Sequence, residues 1–245
     1  MVESVALPKR LVLSMARRSV DLGHARSPRY RRWRGRLLHP SEEAFMFFRD
    51  EGPVPETLRR LARALSQAGL PHVFIGATAL KAYGLRRTTE DVDVCMRAAD
   101  LERFRSELVG STYLPVQGRS RRFYDPQTQV TIDVLIAGEI AGRREKQAAV
   151  RFPDPSESQV IEQIPVPSLA RLIELKLVTW RLQDWADVVV LIRANNLDEQ
   201  FAERLDPVVR LAYLQCYDQK VEEDRYNPEI DDLPAEEPGA GAGPA

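Results

Sequence analysis

The sequence predicts an α/β (α+β) fold, a sheet flanked by helices and followed by a helical C-terminal part. Three observations lead there. Helical and strand periods alternate between about residues 55 and 136, the clearest strands carry carboxylates among apolar residues, and helical periods dominate after residue 168. With 245 residues and 44% hydrophobic content, the chain has enough apolar surface for one large domain or two small ones.

The elements follow in order. Pro55 opens a helix in which Leu58, Leu61, Ala62, Leu65 and Ala68 recur on one face, and Gly69 stops it. The apolar run His72-Val73-Phe74-Ile75 ends at Gly76 and reads as a buried strand. A short helix from Thr78 to Tyr83 is closed by Gly84, and Asp91-Val92-Asp93-Val94-Cys95-Met96 then begins in strict alternation, as a strand with unlike faces does. Residues 100–109 form a helix with Leu101, Phe104 and Leu108 on one side. Residues 130–136 form a strand with a hairpin partner near Arg122–Tyr124. From 139 to 166 a polar, proline-bearing connector has room for an edge strand. Ser168 then caps a helix reaching Thr179, and further helices are expected over about 183–193 and 198–218.

Charge is distributed unevenly. Residues 1–40 hold ten Lys/Arg against two Asp/Glu, residues 222–245 hold one against eight, and the near-neutral total of −1 is a cancellation between ends. Around Tyr30 and Trp33, RSPRYRRWRGRLLHP shows no helical or strand period and reads as a basic arm. It is either a disordered extension or a nucleic-acid contact in which guanidiniums meet phosphates and aromatics stack on bases. The acidic, Pro/Gly/Ala-rich end reads as disordered.

Several functional classes are disfavoured. Cys95 and Cys216 are isolated, and His24, His39 and His72 are scattered, which argues against a disulfide scaffold and a Cys/His metal site and points to a reducing cytoplasm. No apolar run reaches the roughly 18–20 residues of a membrane helix. Arg follows the short N-terminal apolar stretch where a signal peptide would have a small-residue cleavage site.

The chemistry resides in three carboxylates. Asp91 and Asp93, two apart on a strand, leave the same face, where like charges destabilise each other unless a cation lies between them. Asp133 interrupts an otherwise apolar strand. Together they form a set of hard oxygen ligands suited to Mg²⁺ carrying nucleotide phosphates. Upstream, Gly76-Ala77 followed by 13 residues with a short helix puts a glycine turn beside the pair, where backbone N–H groups can meet a phosphate. In the helix from Ser168, Lys176 falls on the apolar stripe and requires an anionic partner or a ligand phosphate. Asp184 and Asp187, one turn apart, are candidate partners for Lys176 or Arg181. Trp180 and Trp185 read as packing residues in preference to base-stacking platforms.

This pattern resembles the nucleotidyltransferase superfamily of DNA polymerase β type. The run Gly76-Ala77-x-Ala79 to Gly84-x-x-Arg87-x-Thr89-x-Asp91-x-Asp93, with Leu172 to Leu177 and Arg181-x-x-Asp184-x-x-Asp187, is similar to the minimal and abortive-infection (AbiE) toxin nucleotidyltransferases over roughly residues 55–195. Where the family has Gly or Ser after its first glycine this chain has Ala77, and Thr78 is the nearest hydroxyl.

The resemblance implies a nucleotidyltransferase-fold mixed sheet, with a catalytic core over 46–150 and a helical part over 151–220; it leaves unexplained the two ends that composition marks off, a basic arm over 1–45 and an acidic tail over 221–245. It implies an NTP substrate, two Mg²⁺ ions held by Asp91, Asp93 and Asp133, and phosphate contacts from Gly76, Ala77, Thr78, Arg87, Thr89 and Lys176. Arg181, Asp184 and Asp187 are accessory. The acceptor hydroxyl would belong to an RNA or tRNA end or to a protein, and a cognate antitoxin would be a partner. A non-catalytic nucleotide- or partner-binding module on the same fold is the alternative.

Overall fold

The computed structural model describes residues 31–142 and 150–225. Its main sheet has five strands in the order β3 (Val73–Phe74), β4 (Asp91–Met96), β7 (Val130–Ile136), β6 (Arg122–Asp125) and β5 (Leu114–Pro115). The sheet is mixed: β4 and β7 run parallel, and every other neighbouring pair is antiparallel. Parallel neighbours need a crossover, which here includes α4 (Ala98–Leu108) and the β5–β6 excursion.

Alternation in β4 and β7 sorts side chains between two cores. Val92, Val94 and Met96 of β4, with Ile132, Val134 and Ile136 of β7, face α4 and α2 (Pro53–Gln67), whose Leu61, Leu65, Leu101 and Phe104 complete one apolar cluster. Phe104 is its centre, stacked on Tyr113 at 5.7 Å and edge-on to Phe123 at 5.1 Å. The other face carries Asp91, Asp93 and Cys95 on β4 and Thr131, Asp133 and Leu135 on β7.

Cys95 and Leu135 on that face join a second core with three C-terminal helices, α5 (Leu169–Leu177), α6 (Leu182–Ala194) and α7 (Pro207–Arg225). One end of this face is thus roofed by apolar helices, while the end bearing the carboxylates is not. The second core also takes Ala79 and Leu80 of α3 (Gly76–Ala82), and a separate hairpin, β8 (Gln159–Ile161) with β9 (Ile164–Val166), occupies the predicted connector. Buried polar groups tie α2 to the β6–β7 turn: Arg60 Nε donates to Asp125 Oδ2 at 2.8 Å, and the Thr57 and Thr128 hydroxyls meet at 2.5 Å.

Three expectations require correction. The short helix begins at Gly76, two residues before Thr78, because Ile75 already has the extended conformation of an N-cap. The helix expected over 198–218 is a 3₁₀ turn, Glu199–Arg204, followed by α7. Pro207 keeps Asp206 out of the helical region, and the Asp206 N–H donates to Glu174 Oε1 at 2.7 Å.

The third correction concerns the basic arm. Its residues 31–45 are folded: β1 (Arg31–Trp33) and β2 (Arg36–Leu38) make a hairpin, and α1 (Pro40–Phe48) follows. Arg34 and Gly35, both at positive φ, form the two-residue turn that twisted hairpins favour. Trp33 Nε1 donates to Glu56 Oε2 at 2.9 Å, Arg34 pairs with Glu56, Arg36 with Glu42, and Arg31 with Glu43. These arginines are therefore spent on α1 and α2, which lowers what they can offer a nucleic acid. The tail expected over 221–245 gives its first five residues to the last turns of α7; residues 1–30 and 226–245 lie outside the described residues, and among the described residues no helix is long and apolar enough to cross a membrane.

Replacing Phe104, fully buried between Tyr113 and Phe123, by alanine should cost about 3–5 kcal/mol of stability. Urea denaturation followed by circular dichroism measures it; a loss below about 1 kcal/mol would show that this cluster is not the core of the sheet's helical side.

Candidate active site

Register brings the three carboxylates together. In the parallel β4–β7 pair Asp93 lies opposite Asp133 and Asp91 opposite Thr131, so all three acidic side chains rise from the same face. A carboxylate oxygen from each lies within 4.8 Å of the others, a grouping able to hold a metal ion. Each side chain is placed differently. Asp91 accepts from the Thr89 hydroxyl at 2.6 Å. Asp133 meets Arg122 of β6, which stands directly across the hairpin, with Nε donating to Oδ1 at 2.5 Å and Nη2 to Oδ2.

Asp93, half-buried like the other two, stands between their charges. Burial, followed by the charges of Asp91 and Asp133, pushes its pKa up to about 7, while Lys176 and Arg181 pull it the other way. A fixed cation near this group therefore replaces a proton at little cost around neutrality.

Gly76 begins α3 against this carboxylate. Its φ of +61° is left-handed, and a Cβ there would collide with Asp93 Oδ2. Both the conformation and the approach exclude other residues, so the glycine is needed for more than a turn. Ala77 is buried on the first turn of α3 and Thr78 half-buried beside it.

The C-terminal residues converge on Lys176. It is 6% exposed, and its Nζ donates to Asp184 Oδ1 and to Asp187 Oδ2, each at 2.8 Å. It does not reach solvent along the helix edge. Asp184 also accepts from the Thr179 hydroxyl at 2.6 Å and from Arg181 Nε at 2.5 Å. Burial alone would raise the Asp184 carboxyl, but these donors outweigh it and hold its pKa below the ordinary value. Arg87 lies 3.6 Å from Asp187, linking the loop before β4 to α6. Arg87, Lys176, Arg181, Asp184 and Asp187 thus form one ionic network, buried at Lys176, Asp184 and Asp187 and open to solvent at Arg181, and Lys176 and Arg181 project their field onto Asp93. Trp180 and Trp185 meet at 5.4 Å with their rings tilted by 43°; Trp185 packs on the helical core, and Trp180, at positive φ, is 45% exposed.

The sequence reading missed Arg122 as a site residue. A signal existed: counting pairs outward from the β6–β7 turn, starting at Asp125 opposite Val130, places Arg122 opposite Asp133.

A carboxylate triad on adjacent parallel strands, with a side-chain-free glycine turn pressed against it, defines the nucleotidyltransferase class. Within that class the family can be stated: residues 58–239 match the AbiEii family, described as the nucleotidyl transferase AbiEii toxin of type IV toxin–antitoxin systems, and the chain belongs to it. No curated protein matches the chain.

Among solved structures, JHP933 from Helicobacter pylori is 16% identical with a TM-score of 0.35, covering 72% of this chain and 95% of its own. A putative nucleotidyltransferase from H. pylori is 19% identical with a TM-score of 0.36, covering 74% and 96%. The antibiotic-resistance factor ANT(2'')-Ia is 16% identical with a TM-score of 0.37, covering 69% and 96%.

Two outcomes follow from this arrangement. The folded pKa of Asp93 lies above its ordinary value, so the folded state binds this proton more tightly than the unfolded chain. The resulting stability is present at low pH and lost as pH rises from about 4 through about 7. In the presence of EDTA, Asp93→Asn should therefore melt above wild type at pH 8, with the gap closing towards pH 5; a gap independent of pH would refute the assignment. Lys176→Met should cost about 3–5 kcal/mol in chemical denaturation, since it leaves two buried carboxylates without their shared cation.

Proposed function

We propose that the protein transfers a nucleoside monophosphate from an NTP to an acceptor hydroxyl, using Mg²⁺ held by Asp91, Asp93 and Asp133. The observation carrying this is the convergence of three carboxylate oxygens within 4.8 Å from two strands in direct register. The donor set is all oxygen, from carboxylates, as a hard cation requires, and two such ions fit the chemistry of in-line phosphoryl displacement. Bound there, the metal would neutralise charge developing on the phosphate and the leaving pyrophosphate.

The chain's own groups do the rest. Gly76 lets a phosphate approach Asp93 without a side chain between them, with the first-turn backbone of Ala77 and the Thr78 hydroxyl alongside. Thr89 holds Asp91 in orientation through its hydroxyl. In this reading Asp133 accepts the proton of the attacking hydroxyl, and pyrophosphate leaves on the opposite side of the α-phosphate. Lys176, locked by Asp184 and Asp187, supplies positive potential towards the phosphates, and Arg87 and Arg181 extend it.

The acceptor is an RNA end, including tRNA, or a protein hydroxyl. In this reading the protein acts in the cytoplasm, where NTPs are supplied, as a toxin whose activity a cognate antitoxin restrains.

The test is label transfer from each α-labelled NTP with Mg²⁺, offering total RNA in one arm and cell protein in the other. Wild type should label one arm, and Asp93→Ala should lower transfer by at least about a hundredfold. Label transfer indifferent to the substitution would reject catalysis by this site. In cells, expression should arrest growth and Asp91→Ala should relieve it; equal arrest by the variant would reject toxicity through nucleotidyl transfer.

A further inference from the structure

Arg122 occupies a position that the proposed chemistry does not explain. Its guanidinium takes both oxygens of Asp133, the geometry in which a planar fork satisfies a carboxylate most fully. A divalent cation bound by the triad needs an oxygen of that same carboxylate. Among the described residues neither Asp91 nor Asp93 makes an ion pair, so Arg122 is the one cation in direct contact with the cluster.

Arg122 also stands at a boundary. Beside it, reaching to Asp91 of the triad, lies a cleft of about 880 Å³, bordered by Asp91 and Thr131 of the sheet, Gln129 of the turn, and Glu43 and Phe47 of α1. The Arg122 side chain is 45% exposed, against 23% for Asp133, so it can turn into the cleft without breaking a buried core. The backbone of β6 stays where its ladder with β7 holds it, and the motion is confined to the side chain.

We infer that Arg122 is the resident counter-cation of the triad, and that a divalent ion binds by taking its place at Asp133 while the guanidinium turns towards the cleft. Arg122 is then a positioning residue: it keeps three like charges together on the folded sheet and sets, by competition, how tightly the metal binds. The inference rests on the reading of the triad as a divalent-cation site.

Calorimetric titration of Mg²⁺ into the metal-stripped full-length protein tests it. Arg122→Gln should bind Mg²⁺ about two- to fivefold more tightly than wild type, as loss of a partly exposed competing ion pair requires, and Arg122→Lys should fall between them. In an Asp133→Asn background the same substitution should change nothing.

A second readout uses wild-type protein alone. The Arg122 Nε–H resonance should shift upon Mg²⁺ addition without nucleotide, as its bond to Asp133 opens. Equal or weaker Mg²⁺ binding by Arg122→Gln, or an unmoved Nε–H signal under saturating Mg²⁺, overturns the inference and leaves the cation site standing. Absence of Mg²⁺ binding in both wild type and variant rejects the cation site and the inference with it.

Discussion

Mutual repulsion of three carboxylates on one sheet face is the constraint on which the rest of this structure depends. Two unit charges about 4 Å apart cost about 1 kcal/mol in water and about 4 kcal/mol at the effective dielectric of a protein surface. Asp91, Asp93 and Asp133 are held at about such separations, because strand register fixes the backbone positions from which they rise. The apolar neighbours prevent that. Val92, Val94, Ile132 and Val134 are buried against α2 and α4, and slipping either strand by one residue would drive its carboxylates into that core.

Much of the surrounding structure answers this repulsion. Arg122 meets Asp133 directly, Thr89 donates to Asp91, and Asp93 holds its proton up to about neutrality. Lys176 and Arg181 act from farther off, through the field of the corner between α5 and α6. That corner has a logic of its own. A buried lysine is tolerated because two aspartates share it, and Arg87 carries the network back to the loop leading into β4. The helical part is in this way coupled to the strand that bears the first two carboxylates.

Where local pattern and tertiary demand agree, the sequence was readable. β4 and β7 coincide with the expected strands because an alternating run buried on one face admits only one register. The helix bearing Lys176 was legible from its stripe, and the odd lysine on that stripe pointed to its aspartates. The hairpin and helix at 31–48 were not legible. No residue of α1 is fully buried, so it leaves no apolar period, and the hairpin is held by Trp33 and Arg34 meeting Glu56, more than twenty residues away. Arg122 escaped for a similar reason: its partner lies across a turn, and only the pairing register shows that they meet.

The amino-acid sequence by itself determined which chemistry was available: carboxylates at every second place, a glycine where no Cβ fits, and a lysine among leucines. These are properties of single residues and short periods, which local geometry converts into faces. Tertiary structure alone decided what those faces meet. It set Asp133 beside Asp93, closed Gly76 onto a carboxylate, paired Arg31, Arg34 and Arg36 with internal acids, and gave the triad an arginine of its own. Each of these depends on a distance between residues remote in the chain, and electrostatic energy is a function of that distance and of burial, neither of which a one-dimensional pattern contains.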